Sequence, residues 1–164
     1  MENDKVNKDE TTLDKNKAEA NKTEDTIGLN EVLVSIGEEN YTTNIQYGDL
    51  SLIADEPLEL GGQNKGMAPS QLLLSSVGAC KAITMRMYAN RKKWKVNRID
   101  IKISSEVQKS EQQQTTFIRC NIFIDGDLDE EQKRRIYMIG EKCPVQKMLQ
   151  NPIVVESNLI DTNS

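Results

Sequence analysis

MAPSQLLLSSVGACKAITMRMYANR, residues 67–91, carries apolar side chains around nearly its whole helical circumference, with Cys80 at its middle. Between Pro69 and Tyr88 the only charged residues are Lys81 and Arg86. A helix without a polar face has to be wrapped by other elements, so this stretch is expected to be the core helix of the fold. A membrane span is the competing reading. Two cations inside the stretch, a polar chain overall and no stop-transfer pattern beside it argue against that. Pro69 suits the first helical turn, where its missing N–H is not needed, and the GGQNKG run before it is turn material that ends the preceding strand. Gly78 and Ala79, beside Cys80, leave room for another backbone, which permits packing against a copy of the same helix.

Upstream of the helix, residues 1–28 are Asn, Lys, Glu, Asp and Thr with almost nothing apolar, too little to offset the entropy of ordering. They are read as a disordered polar tail, and residues 29–164 as one folded domain. EVLVSI, YTTNIQY and LSLIADEP are β-rich runs separated by GEEN and GD, the pattern of a three-stranded antiparallel meander. Downstream, KKWKVNR connects to the next run, with Trp94 expected to cap the core edge by its ring. Ile99, Ile101, Ile103 and Val107 then alternate with polar residues, and KSEQQQ leads to a partner strand in which Ile118, Cys120, Ile122 and Ile124 share a face. This predicts a hairpin with Cys120 as a small core residue. Asp127 and Asp129 are candidate starts for a short amphipathic helix ending near Gly140, and Cys143 is the expected N-cap of a third helix that begins with Pro144. PIVVESNLI reads as an edge or closing strand.

A formal charge of −5 with Lys and Arg spread along the chain offers no footprint for nucleic acid. No apolar segment follows Met1 and no cysteine lies near it, so neither a secretory signal nor a lipid anchor is expected, and the cytoplasm is the expected compartment. The three cysteines, Cys80, Cys120 and Cys143, have no C-x-x-C spacing, and in a reducing compartment they are expected to be buried, catalytic or metal-binding. The chain has no histidine, which removes the usual general base and the commonest metal ligand together. Three cysteines on three elements make a poor tetrahedral set, so neither a metal nor another cofactor is expected. Cys143 at a helix start, with Lys142 beside it, is a candidate reactive thiol. Cys80, in mid-helix, needs a cation from elsewhere to ionise.

The segments ADEPLELGGQNKGMAPSQLLLSSVGACKAITMRMYANRKKW and GDLDEEQKRRIYMIGEKCPVQKML resemble the OsmC/Ohr family, and its OsmC-like branch more than its organic hydroperoxide resistance branch. The resemblance spans roughly Tyr41 to Leu159 and rests on the GAC motif in the long helix, the MYANRKKW exit and the KCPV motif. It implies an α+β fold in which antiparallel sheets wrap a long central helix. It also implies an intertwined homodimer with the long helices at its centre and two sites at the subunit interface. In such proteins the cysteine at the position of Cys80 attacks a peroxide and the one at Cys143 resolves the sulfenic acid as a disulfide.

The match departs from the peroxidase members in three places. Their activating glutamate, ten residues before the helix cysteine, falls on Ser70. Their arginine from the N-terminal strands would align near Glu38 and Glu39, and no arginine precedes Arg86. The histidine that often follows CPV is Gln146. Without a guanidinium beside it, Cys80 is expected to have a raised pKa, with Arg86, Lys81 or Lys65 as the candidate replacement cations. The leading expectation is a thiol-dependent reductase of organic hydroperoxides in oxidative-stress defence, using Cys80 and Cys143 with an external thiol reductant. The alternative is a non-catalytic dimer that binds a small apolar ligand near Cys80.

Overall fold

The structure, a computed structural model, describes residues 31–111 and 113–160. The expected tail of residues 1–28 lies outside them. The chain order is β1 (Leu33–Ile36), β2 (Thr43–Tyr47), β3 (Leu50–Ala54), a 3-10 turn (Leu58–Leu60), α1 (Pro69–Arg91), β4 (Lys95–Lys109), β5 (Gln114–Asp127), α2 (Glu130–Gly140) and α3 (Pro144–Gln150). This is the α+β arrangement the sequence predicts, with two antiparallel sheets, β1-β2-β3 and β4-β5.

Tyr47 pairs with Leu50 across a two-residue loop, and Gly48 there takes φ +55°, the left-handed conformation that tight hairpins demand. The β1–β3 sheet exposes side chains on both faces, among them Val34, Ile36, Leu50, Leu52 and Ile53. After β3 the chain turns around Asp55, whose nearly inaccessible carboxylate accepts N–H bonds from Glu56 at 2.8 Å, Gln63 at 3.0 Å and Lys65 at 3.0 Å. The Lys65 N–H, ahead of the opposing effect of burial, holds this carboxyl below the ordinary carboxylate range. Three bonds to one carboxylate close the loop that aims the chain into α1.

One stripe of α1, Val77, Lys81, Met85 and Ala89, is buried. Met85 and Ala89 form the core with Val96 and Ile136, and Tyr88, Trp94, Ile99, Ile101, Ile122, Ile124 and Leu128 pack against it. Trp94 meets Tyr88 edge to face, with ring centroids 5.7 Å apart, and so caps the core edge as its position predicts. Gly140 lets α2 come close to α1, because a Cβ there would lie 2.9 Å from the sulfur of Met85. Asp129 caps α2 reciprocally with Gln132, the side chain accepting at 2.7 Å and the backbone N–H donating back at 3.0 Å.

Two expectations change. The wrapping of α1 is incomplete within one chain: Ile83 and Met87, on the side opposite the buried stripe, are 59% and 66% exposed, and Leu73, one turn before Val77, is 47% exposed. Residues 151–160 form no strand, and Ile153, Val154, Val155, Leu159 and Ile160 are exposed. A strand needs a neighbour for its N–H and C=O groups, and no described strand pairs with this segment.

Candidate functional site: a thiol pair beside a buried lysine

The site forms where the middle of α1 meets the turn between α2 and α3. That turn is tight: Lys142 N–H bonds Ile139 C=O at 2.9 Å and Cys143 N–H bonds Gly140 C=O at 3.2 Å. Cys143 then caps α3 as predicted, with Pro144 at the first helical position. Its side chain is fully buried and lies against the half-buried sulfur of Cys80. Cys80 and Cys143, 63 positions apart by number, thus meet within a single chain. Both thiols come from one chain because the α2–α3 turn folds back on its own α1.

The two thiols shift in opposite directions. Burial pushes Cys80 up, but hydrogen bonding from the Cys143 thiol, the Val145 N–H and the Thr84 hydroxyl, with the charge of Lys81, outweighs it and leaves Cys80 below the ordinary thiol value. This corrects the expectation of a raised pKa. Backbone and side-chain donors, invisible in a search for arginine, lower it instead. For Cys143, burial and then the neighbouring Cys80 sulfur push the thiol up, against N–H groups of Gln146 and Val145. The candidate reactive thiol read from Cys143 alone is therefore the one of the pair that holds its proton more firmly. Thr84 also donates to the Cys80 carbonyl at 2.7 Å, so its proton is shared between two acceptors.

Of the three candidate cations, the fold brings Lys81 to the site and takes the other two elsewhere. Lys65 pairs with Glu39 at 2.7 Å at the surface, and Arg86 donates to the carbonyls of Val96 and Asn97 at the start of β4. Lys81 is 3% exposed, 2.7 Å from a carboxylate oxygen of Glu141 and 3.4 Å from the Gly140 carbonyl. The bond from Lys81, against the cost of burial, holds the Glu141 carboxyl below its ordinary range. Gln146 reaches the other Glu141 oxygen at 3.4 Å. Glu141 and Thr84 were not singled out from the sequence. The available signal was Lys81 itself, a lone cation on the stripe of Val77 and Met85, which burial obliges to find a carboxylate.

Cys120 is half-buried on the inner face of β5, as its alternation predicts, and burial is the main cause that pushes its thiol up. With Val77, Lys81, Tyr137, Glu141 and Gln146 it lines a pocket of 380 Å³ that neither Cys80 nor Cys143 lines. Among the described residues no helix is long and apolar enough to cross a membrane.

The profile of the OsmC-like protein family matches residues 62–158. An OsmC-like protein from Mycoplasma pneumoniae has a similar structure, at 18% identity and a TM-score of 0.62, over 73% of this chain and 86% of that one. An organic hydroperoxide resistance protein from Legionella pneumophila is similar at 22% identity and a TM-score of 0.56, over 74% of this chain and 90% of the other. One from Elizabethkingia anophelis, with thiocyanate bound, is similar at 17% identity and a TM-score of 0.54, over 73% and 86%. At these identities the likeness concerns the fold. No curated protein matches the sequence.

Proposed function

This chain belongs to the OsmC-like protein family, and on that premise we propose that it reduces organic hydroperoxides with the Cys80–Cys143 thiol pair. The observation that carries the reading is the contact between the two sulfurs, with the proton favoured on Cys143 and the charge on Cys80. The Cys80 thiolate attacks the terminal oxygen of the hydroperoxide. The O–O bond breaks, an alkoxide leaves and takes a proton from water, and Cys80 becomes a sulfenic acid. The Cys143 thiol then attacks the Cys80 sulfur, an S–S bond forms, and the hydroxyl departs with the Cys143 proton as water. Two equivalents of an external thiol restore both cysteines by exchange and leave as a disulfide. A supply of reduced thiol suits the cytoplasm.

The working form in this proposal is a homodimer. The exposed Ile83 and Met87 on α1, the exposed Leu73 near its start, the open space beside Gly78 and the two uncovered faces of the β1–β3 sheet are apolar surfaces that a second copy would cover. That copy would then wall the side of Cys80 that one chain leaves open.

The test is consumption of an organic hydroperoxide by the reduced protein, followed with mass measurement of the cysteine products. Wild type should consume one equivalent and gain a Cys80–Cys143 disulfide, Cys143→Ser should stop at the sulfenic acid, and Cys80→Ser should be inert. Equal consumption by Cys80→Ser and wild type would exclude the reading.

A further inference from the structure

We propose that the Lys81–Glu141 ion pair is a latch that holds Cys143 against Cys80, making both its members positioning residues for disulfide formation. The inference rests on the dithiol reading above and assigns to this chain's own residues the task of bringing the second thiol to the first.

Lys81 follows Cys80 directly on α1, and Glu141 precedes Cys143 by two residues on the opposing turn. The lysine bonds Glu141 at 2.7 Å and the Gly140 carbonyl at 3.4 Å, and Gly140 C=O is also the acceptor of the Cys143 N–H at 3.2 Å. The other Glu141 oxygen takes the Gln146 amide at 3.4 Å, from the first turns of α3. One ammonium group therefore ties α1 to Gly140 and Glu141 just before Cys143, and through the Glu141 carboxylate to Gln146 just after it. Apart from the Cys143 thiol and the Val145 N–H, which donate to Cys80 itself, the Lys81–Glu141 pair is what joins α1 to this turn by an ion pair among the described residues.

The latch also accounts for a cation on a buried stripe. A methionine or leucine would pack beside Val77 and Met85 without the cost of desolvating an ammonium, and apolar replacements of buried ion pairs are often neutral or stabilising. A charge kept there serves geometry: its partner can occupy only a narrow range of positions, whereas an apolar contact tolerates several. The ionisable groups around Lys81 are Cys80 on its own helix, Cys120 on β5, and Glu141 and Cys143 on the turn.

The experiment equilibrates the full-length protein with glutathione redox buffers and measures the fraction of Cys80–Cys143 disulfide, a readout that requires no peroxide. Lys81→Met and Glu141→Gln are each expected to lower the effective concentration of the thiol pair about tenfold, the size of one coupling between contacting side chains. The double variant should lose no more than either single one, because the second substitution removes a partner already gone. Ile136→Val, which loosens the core without touching the latch, should leave the effective concentration unchanged. Glu141 is 44% exposed, so Glu141→Gln retains the fold and keeps the test sharp where Lys81→Met unfolds. Wild-type values in both single variants overturn the latch, as do additive losses in the double variant. A wild type inert to hydroperoxide, with the disulfide equilibrium weakened in the variants, supports the latch and overturns the reductase.

Discussion

Replacing Cys143 with alanine removes one of the donors that lower the Cys80 pKa, and its consequence can be worked through. Three donors and the Lys81 charge oppose the burial of Cys80. The Thr84 proton is shared with a carbonyl at 2.7 Å, which leaves the Cys143 thiol and the Val145 N–H as the principal donors. A hydrogen bond to a charged group is worth about 1.5–3 kcal/mol, and a thiol is a weak donor that water partly replaces, so about 1.4 kcal/mol is the loss to expect. That energy is about a tenfold fall in the thiolate to thiol ratio. The ultraviolet absorbance of the thiolate, titrated against pH in a Cys120→Ala background, should move to higher pH accordingly. Alkylation by iodoacetamide should slow by only about threefold, because a more basic thiolate is a better nucleophile with a Brønsted slope of about 0.4–0.5. Cys143→Ser keeps a hydroxyl donor and should retain the low-pH titration while losing the disulfide. If Cys143→Ala titrates at or below the wild-type pH, the hydrogen-bond account of Cys80 is wrong.

Other outcomes follow from the same structure. Asp55 has a folded pKa below its unfolded one, so its contribution to stability is complete above the unfolded value of about 3.9 and is lost as pH falls through the folded value. Asp55→Asn should be less stable near neutrality and should lose less on acidification, and the amide protons of Gln63 and Lys65 should exchange faster. Parallel acid losses in the two proteins would contradict the role given to the carboxylate. Ile83→Glu places a charge on the exposed side of α1, and sedimentation should show the proposed dimer shifted toward monomer. An unchanged distribution across concentrations would remove that face from the interface.

Much of the fold was legible because local rules and tertiary packing agree. Asp129 with Gln132 is a capping box in sequence and in space, and Gly48 marks the hairpin whose backbone needs it. The closing strand was misread because PIVVESNLI has strand composition and no described neighbour to pair with. The proposed thiol pair was read from motifs, but its electrostatics were not. The expectation of a raised Cys80 pKa counted guanidinium groups, whereas the groups that lower it include a backbone N–H on α3 and a thiol on the α2–α3 turn.

The sequence by itself determined the elements: a 23-residue apolar helix, two sets of alternating strands, the caps of the short helices and the family to which their motifs belong. These follow from side-chain period and backbone preference, which act over a few neighbouring residues. Only the tertiary structure decided which cation stands beside Cys80, which thiol keeps the proton and which carboxylate holds Lys81. The last two depend on groups about 60 positions apart meeting at hydrogen-bond distance, and the first on where the fold sends Lys65 and Arg86; electrostatic energies at that range are set by separation and burial, which no local pattern encodes.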